Sequence, residues 1–554
     1  MLTGVRRATR TSLTILSTTG TGTHGLHESG DVENSAARVL WYPKPSITLL
    51  VVGAIVLVAF LMRVYNLAGN PPGFFCDEAS IQYDAYMLLH TGADRWGQHF
   101  PVYFRSFGDY ENPLFIYTSL PFVAVMGLNP LADRLLAALY GTATVALMYP
   151  LALELFRRRD IALLATVSLA IAPWHLLFSH VAFEAISMPF FYAAATLAFL
   201  VALRRHNPRL YLISFALWGL SIYTYHVPRL LTPLLLISLL LIYYKSVWAW
   251  RRDTASGLVI YALLMIPLVQ GILSGAAMAR FNGIGIFAHG LHGWDLVGAT
   301  LQLYIQHFSM LFLFIFGSRP GDPVLRNYIP GLGALYWAQL PLIMIGLAAL
   351  LARRDRAAIL VLVWLLLYPT GGALTEGPSQ LRDLFGVLPF NLVTGYGAAE
   401  FWRWIRHAGV RSRPRLRSAI VGGGAAFAAC VLAISLSQLW NAFYVQYPRT
   451  AAGYWGWQGG PAAIVAYYKR VEPHYDDLFV TGTFNSPEIF IPFYAPSGCE
   501  RCTIGGMDRY NPARRQLFAL RPDELVPGFH YIVRHTLYYG DGTVSFQIVE
   551  ARRA

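Results

Sequence analysis

Charged residues are scarce in this 554-residue chain, and that scarcity excludes an ordinary soluble enzyme. Only 13% of the residues are charged and 55% are hydrophobic, whereas soluble domains carry about 25% charged residues. Apolar runs of about 15 to 24 residues recur along most of the chain, which suits membrane-spanning helices and is too long for strands. The runs also lack the alternation of an outer-membrane barrel. The composition therefore predicts an all-α polytopic membrane protein.

Lysine and cysteine are rare as well. Three of the 43 basic residues are lysines, a bias that fits a GC-rich bacterial genome. The net charge of +13 does not indicate a nucleic-acid partner, because the basic residues stand in short clusters between apolar runs. Four cysteines cannot form a disulfide framework. For the C-x-x-C pair Cys499 and Cys502, a local disulfide in an oxidising periplasm is favoured over a structural zinc, because no second pair follows.

Residues 1–45 are rich in Ser, Thr, Gly and Arg, and we predict that they form a disordered cytoplasmic tail. They contain no apolar segment before a cleavage site, so they do not indicate a signal peptide. An organellar transit peptide is the alternative interpretation.

The arginines indicate which apolar runs cross the membrane. Counting every run gives about thirteen spans and places Arg157–Arg159 outside, against the positive-inside rule. If the runs 113–127 and 301–317 are instead juxtamembrane helices on the outer side, about eleven spans remain and every basic cluster faces the cytoplasm. The predicted spans are residues 47–66, 134–155, 161–178, 185–203, 210–224, 229–244, 256–275, 334–352, 357–371, 384–402 and 418–438.

This topology places three segments outside a bacterial plasma membrane. Residues 46–439 would form the transmembrane domain, with outer loops at 67–133 and 276–333. Residues 440–554 would form a small extracytoplasmic α/β domain, because "PAAIVAYYKRV" has a helical pattern, whereas "DDLFVTG", "FHYIVRHT" and "FQIVEAR" have strand patterns. The N-terminus would be cytoplasmic and the C-terminus extracytoplasmic.

The first outer loop concentrates acidic residues next to the membrane. It holds seven of the chain's thirty acids, including the adjacent pair Asp77 and Glu78 at the start of a predicted helix that ends at Gly92. One interpretation is that Asp77 only caps this helix. The alternative is a site for a base and an anionic lipid headgroup, because Arg63 and Arg134 stand at the outer ends of the two bracketing spans.

Several of these segments resemble a known family. "RVYNLAGNPPGFFCDEAS", "ENPLFIY" and "ADRLLAALYGTATV" are similar to the N-terminal half of glycosyltransferase family 39. That family contains the dolichyl-phosphate-mannose protein mannosyltransferases and the bacterial aminoarabinose lipid A transferases, within the GT-C superfamily. The resemblance covers most of residues 47–403, and Asn112 departs from the family's Pro-Pro-Leu-like motif. The C-terminal domain resembles no family known to us.

The resemblance implies an inverting, metal-independent transfer of a hexosyl or pentosyl group from a polyprenyl-phosphate donor to an acceptor hydroxyl on the outer face. The acceptor would be a protein, a lipid or a glycan. Asp77 would be the general base, ionised at an ordinary pKa of about 3.9. Glu78 would position the acceptor or pair with an arginine, and Arg134 would bind the departing phosphate. No cofactor is expected.

Further candidates are weaker because each has an ordinary structural explanation. Arg229 and Arg382 would assist with phosphate or simply snorkel to the interface. His180 would contact phosphate. Glu184 would be a second acid or a carboxylate favoured by a helix N-terminus, with Asp109 and Glu111 as other possible acids. The alternative functions are a transporter or flippase for lipid-linked saccharides, which charges gathered at span ends disfavour, and a non-catalytic scaffold.

Overall fold

The computed structural model describes residues 45–410 and 414–554. The predicted tail therefore lies outside the described residues except for Pro45. The helices of the first part are α1 (Pro45–Val64), α2 (Cys76–Thr91), α3 (Pro113–Met126), α4 (Pro130–Phe156), α5 (Arg159–Ala170), α6 (Pro173–Phe178), α7 (Ser187–Arg205), α8 (Pro208–Ser221), α9 (Pro228–Ile242), α10 (Tyr244–Ala249), α11 (Arg251–Leu273), α12 (Ala279–Ile284) and α13 (Gly293–Gln306). The later helices are α14 (Gln339–Arg353), α15 (Arg356–Leu367), α16 (Thr370–Ala373), α17 (Val387–Val410), α18 (Pro414–Leu439), α19 (Tyr447–Thr450), α20 (Pro461–Val471) and α21 (Phe490–Tyr494).

Each of the eleven predicted spans contains a helix, so hydropathy located the helical segments correctly. The run 161–178 is divided into α5 and α6, and α6 begins at Pro173, which lacks the N–H needed to continue the preceding helix. Within the described residues, six helices are long and apolar enough to cross a membrane, and three shorter apolar helices accompany them. The chain is thus a multi-pass membrane protein, and the count of eleven stays a prediction.

The two runs assigned to juxtamembrane positions are also helical. Residues 113–126 form α3, which has Pro113 in its first turn. The run 301–317 divides into the end of α13 and one π-helical segment, Leu311–Phe316. The side of the membrane on which they lie stays a prediction.

The loop between α1 and α4 is built from α2, a short hairpin and α3. Gly92 ends α2 in the left-handed conformation (φ 70°), and its N–H donates to the Leu88 carbonyl, as the sequence predicted. Strands β1 (Phe104–Ser106) and β2 (Asp109–Glu111) pair antiparallel. Their two-residue turn has positive φ at Phe107 and Gly108, the twist that tight hairpins favour.

The C-terminal residues form the predicted α/β layer. Its strands are β3 (Asp477–Val480), β4 (Cys502–Ile504), β5 (Gln516–Leu520), β6 (Phe529–Tyr538) and β7 (Val544–Arg553). They form one five-stranded sheet in the order β4-β3-β5-β7-β6. Strands β4, β3 and β5 are parallel to one another, and β7 pairs antiparallel with both β5 and β6. Helix α20 and strands β3, β6 and β7 lie where the sequence predicted them, whereas β4 and β5 were missed.

Two features of this C-terminal region bear on the sequence predictions. Cys499 and Cys502 are disulfide-bonded, with Cα atoms 5.3 Å apart, which confirms the local disulfide. The predicted boundary at 439/440 coincides with the end of α18. Residues 49–554 nevertheless form one compact unit, so the sheet packs with the helices and is not a separate body.

Candidate active site

Asp77 does not cap the helix on which it lies. It is the second residue of α2, and Phe75 occupies the N-cap position. The Phe75 N–H donates to Glu78 Oε2 at 3.1 Å, so Glu78 satisfies the helix start. The hydrogen-bond partner of Asp77 is the Cys76 thiol, 3.4 Å from its Oδ1. The capping interpretation therefore does not explain Asp77.

Glu78 and Arg134 form a fully buried ion pair. Arg134 Nε and Nη2 donate to the two carboxylate oxygens of Glu78, each at 3.0 Å. The Ala182 N–H also donates to this carboxylate. The other N–H groups of Arg134 donate to the carbonyls of Leu67, Pro71 and Gly73. All five N–H groups of the guanidinium thus have protein acceptors, and none is left for a phosphate.

Arg63 and His180 are likewise buried within the protein. Arg63 Nη1 donates to the Ala59 and Ala170 carbonyls, and its Nη2 lies 2.9 Å from His175 Nδ1. The His180 ring nitrogens lie 3.2 Å and 3.0 Å from the carbonyls of Asn70 and Met62. Burial lowers the pKa of His180 to about 4, so its ring is neutral at neutral pH. Neither side chain lines the cavities described next.

An acidic cavity of about 130 Å³ lies beside the start of α2. Its acidic lining residues are Asp77, Asp109, Glu111 and Glu184. Other polar residues of its lining include Tyr225, His226 and Arg280. The structure therefore brings together all four candidate acids other than Glu78, from segments that are far apart in the sequence.

The acids of this cavity differ in their hydrogen bonds. Glu184 accepts from the backbone N–H and the side-chain amide of Asn112, at 2.6 and 2.7 Å. Glu111 Oε1 accepts from the Ser106 hydroxyl at 2.7 Å, while its Oε2 is buried without a partner in the described part of the chain. Asp109 accepts from the Tyr110 N–H and pairs with Arg280 at 3.4 Å. Glu184 is thus firmly held, and Asp77 is the least constrained.

Burial raises the pKa of the cavity carboxyls in the loop between α1 and α4, which are Asp77, Asp109 and Glu111. The pKa of Glu111 lies well above its ordinary value, because burial and the neighbouring Asp84 and Asp77 outweigh Arg95. Burial also raises the pKa of Asp77, against the opposing charges of Arg326 and Arg280, and that of Asp109. The cavity thus combines ionisable groups that lose their protons at different pH values, as acid–base chemistry requires.

A larger cavity of about 340 Å³ adjoins the acidic cavity, and Tyr225, His226 and Arg280 line both. We call it the arginine cavity, because Arg229, Arg280 and Arg382 lie in a lining that is otherwise mostly apolar. Its apolar residues include Leu230, Leu268, Ile272, Phe281, Ile284 and Leu374. Such a lining suits a ligand with an anionic head and a hydrocarbon tail.

The arginines are only partly occupied by protein partners. Arg229 Nη2 donates to Asn112 Oδ1 at 2.7 Å, Nη1 bonds to the Ala277 carbonyl, and its buried Nε has no partner in the described residues. Arg382 binds Thr375 Oγ1 and Glu376 Oε2, at 3.0 and 2.8 Å. Arg280 is about half exposed. N–H groups therefore remain available for an anion.

Sequence reasoning missed Arg280 and His226. His226 lies 3.8 Å from Glu184 and 4.0 Å from Asp109, and burial together with Arg229 and Arg280 holds its pKa well below the ordinary value. The sequence places Arg280 alone in a long loop, with no motif around it. No three His, Cys, Asp or Glu side chains in the described ranges are arranged to hold a metal, and metal independence stays a prediction.

Comparison with known proteins identifies the architecture. Residues 111–270 match the family model described as dolichyl-phosphate-mannose-protein mannosyltransferase. The structure of ArnT from Cupriavidus metallidurans in the apo state is similar over 91% of this chain and 98% of ArnT, with a TM-score of 0.53 and 14% identity. The chain thus shares its fold with ArnT. The resemblance to the mannosyltransferases found in the sequence is confirmed over residues 111–270.

Two further similar structures hold lipid phosphates. ArnT from the same organism bound to undecaprenyl phosphate matches 92% of this chain and 98% of its own, with a TM-score of 0.51 and 14% identity. The oligosaccharyltransferase AglB from Archaeoglobus fulgidus, in complex with an inhibitory peptide and a dolichol-phosphate, matches 81% of this chain and 63% of its own, with a TM-score of 0.53 and 15% identity. No curated protein matches the sequence significantly.

Proposed function

We propose that this protein is a membrane glycosyltransferase that moves a sugar from a polyprenyl-phosphate donor to an acceptor hydroxyl on the outer face of the membrane. One observation carries the proposal: the acidic cavity and the arginine cavity share the wall formed by Tyr225, His226 and Arg280. A base and a phosphate site thus lie side by side, with the shared wall between them as the place for the transferred sugar.

The arginine cavity would hold the donor. The guanidinium groups of Arg229, Arg280 and Arg382 would bind the phosphate, because charge-assisted hydrogen bonds are stronger than neutral ones. The apolar lining from α9, α11 and α12 would contact the first isoprene units of the lipid. The GT-C structures with undecaprenyl phosphate and dolichol-phosphate support a lipid of this class. The membrane would supply the rest of the binding surface.

Asp77 would be the base in the acidic cavity. It takes the proton of the acceptor hydroxyl while the acceptor oxygen attacks the anomeric carbon. The bond between that carbon and the phosphate oxygen breaks on the opposite side, so the configuration inverts. The phosphate monoester leaves with its negative charge facing the arginines, which stabilise it without a metal.

The remaining candidates take other positions in this proposal. Arg134 and Arg63, which the sequence suggested for the phosphate, would instead hold the backbone around Asp77 rigid, and His180 would do the same. Glu184 would fix Asn112 and thereby Arg229. Asp109 would orient Arg280, and Glu111 would hydrogen-bond the acceptor from the far side of the cavity.

Asp77→Asn tests the proposal. The amide cannot accept the proton, so we expect transfer to fall roughly 10²–10⁴-fold, the usual contribution of general acid–base catalysis. Donor binding and the melting temperature in detergent should remain close to wild type, because Asp77 caps nothing. The assay is sugar transfer by the purified protein, followed by mass spectrometry of the product. Near-normal turnover of this variant would refute Asp77 as the base. Movement of a lipid-linked sugar across vesicles without transfer would favour the transporter alternative.

A further inference from the structure

Arg326 lies beside the start of α2 and contacts two distant parts of the chain. Its guanidinium carbon is 3.8 Å from the centre of the Phe75 ring. Its Nη1 donates to the carbonyls of Tyr454 and Gly456, at 3.3 and 3.0 Å. Phe75 is the N-cap residue of α2. Arg326 thus joins the segment that carries Asp77 to the segment that leads into the C-terminal sheet.

Other contacts reinforce the same junction. A Cβ at Gly73 would overlap the Trp457 carbonyl and lie 2.7 Å from the Gly459 nitrogen, so the two backbones touch. The Trp457 ring packs against Phe183, with ring centres 5.5 Å apart. The segment 454–459 therefore packs against the loop that precedes α2.

The charged groups around Asp77 come from several elements. Cys76 and Asp109 belong to the same loop, and Glu111, Glu184 and His226 line the same cavity. Burial raises the pKa of Asp77, and Arg326 is the strongest of the groups that oppose this rise, ahead of Arg280. A positive charge at this place favours the ionised carboxylate that a base needs.

We propose that Arg326 is a positioning residue for Asp77, which holds the start of α2 against the segment 454–456 and places a positive charge toward the carboxylate. The proposal rests on the proposed function for the role of Asp77 as base. In this proposal the C-terminal region contributes to the site, because the carbonyls of Tyr454 and Gly456 orient the guanidinium group of Arg326. The residue acts through Asp77 and need not touch the substrate.

The first test is the pH profile of sugar transfer in full-length protein. A base must be ionised, so activity is lost as the pH falls through the pKa of Asp77. Arg326→Gln removes the opposing charge. The acid limb of the profile, which is the pH range in which activity is lost on acidification, should therefore move upward by roughly one pH unit. Arg326→Lys keeps the charge but loses the planar stack, so its rate should fall while its limb moves less.

Arg501→Gln is the matched control. Arg501 Nη1 also donates to two main-chain carbonyls, but these belong to Glu472 and Tyr475, outside the segment 454–456. Its loss should leave the acid limb in place. If the limb of Arg326→Gln also stays in place, or if both variants shift it equally, the proposal is overturned.

Hydrogen exchange provides a readout that does not depend on activity. In Arg326→Gln we expect faster amide exchange in residues 74–80 and 454–458, and in Arg501→Gln no change there. Unchanged exchange in Arg326→Gln overturns the proposal, whatever the kinetics show. A wild-type protein that transfers no sugar would refute the proposed function, and the exchange result would then decide by itself whether Arg326 positions this segment.

Discussion

Asp77, Glu78 and Glu111 carry the same carboxyl group in surroundings that give each a different task. Glu78 is held by Arg134 and by two backbone N–H groups, so it is fixed in place. Glu111 is buried, with one oxygen unpartnered among the described residues and a strongly raised pKa. Asp77 has one weak thiol contact and lies partly open to the cavity. These differences are why we propose Asp77, and not Glu78 or Glu111, as the base.

The pKa of Glu111, which burial raises well above its ordinary value, shifts this carboxyl toward its neutral form. Glu111→Gln should then retain transfer within roughly tenfold of wild type, because the amide resembles a protonated acid, whereas Asp77→Asn should lose at least about 10². The pH dependence of transfer rates in the two variants checks this. Equal losses in both would mean that Glu111 works as a carboxylate.

The pair of Glu78 and Arg134 predicts a loss of stability. Glu78→Gln leaves a buried guanidinium without its counter-charge, which typically costs about 3–5 kcal/mol. Arg134→Lys loses the forked geometry and should be similarly harmful. Both should lower the melting temperature in detergent. The control is Arg521→Ala, which breaks a solvent-exposed pair with Asp523 and should change the melting temperature little. If Arg134→Lys melts normally but binds the donor more weakly, Arg134 would instead be a phosphate-binding residue.

At the scale of elements, the arginine cavity is assembled from separate helices. Arg229 is the second residue of α9, Arg280 is on α12, and Arg382 follows α16. Such a site depends on how these short elements pack, because no single motif contains it. Helices α9 and α12 each supply both an arginine and apolar lining residues, and α11 adds further apolar residues.

Arg280 joins the two cavities, so its loss should weaken donor binding. Arg280→Ala removes a charge-assisted contact worth about 1.5–3 kcal/mol, which corresponds to a roughly 10- to 150-fold weaker affinity. Titration with undecaprenyl phosphate in detergent measures this. The exposed Arg252 on α11 serves as the control, since Arg252→Ala should bind normally. Equal affinities in the two variants would contradict the phosphate assignment.

The helices could be predicted from the sequence because long apolar runs dominate the signal. The acid pair and Gly92 likewise located α2. Strands β1, β2 and β4 were missed because three residues are too few to show alternation, and β5 was missed because it is buried along its whole length and does not alternate. Arg280, His226 and Arg326 were missed because their roles arise from contacts between distant segments. Arg134 pairs with Glu78, as the sequence allowed, but its burial is not visible in the sequence, and its phosphate-binding role stays a prediction.

At the scale of the whole molecule, the C-terminal sheet and the helices belong to one unit. Asn70 donates to the Phe443 carbonyl across 373 positions of sequence. Phe74 packs on Phe493 of α21 with ring centres 5.1 Å apart. The loop before Asp77 is therefore enclosed by C-terminal residues, and the site depends on both halves of the chain.

Gly73→Ala should show whether contact with the C-terminal residues matters to the site, beyond the backbone strain that alanine causes at a positive φ. Gly73 has φ 113°, and its α-carbon faces the backbone of Trp457 and Gly459. Gly97, in the same loop, has φ 82°, and a Cβ added there would meet nothing within 4 Å. Alanine at either site costs roughly 1–2 kcal/mol for a positive φ, but only at Gly73 must it also displace a backbone.

We therefore expect Gly97→Ala to lower the melting temperature slightly and to transfer sugar almost normally. Gly73→Ala should lower the melting temperature further and should also reduce transfer strongly, because the start of α2 would lose its packing against Trp457 and Gly459. Both are measured on purified full-length protein, with hydrogen exchange of residues 454–459 as the local readout. If the two variants behave alike, contact with the C-terminal segment does not support the site. A selective loss in Gly73→Ala would mean that the base is held in place by Trp457 and Gly459, from the opposite end of the chain.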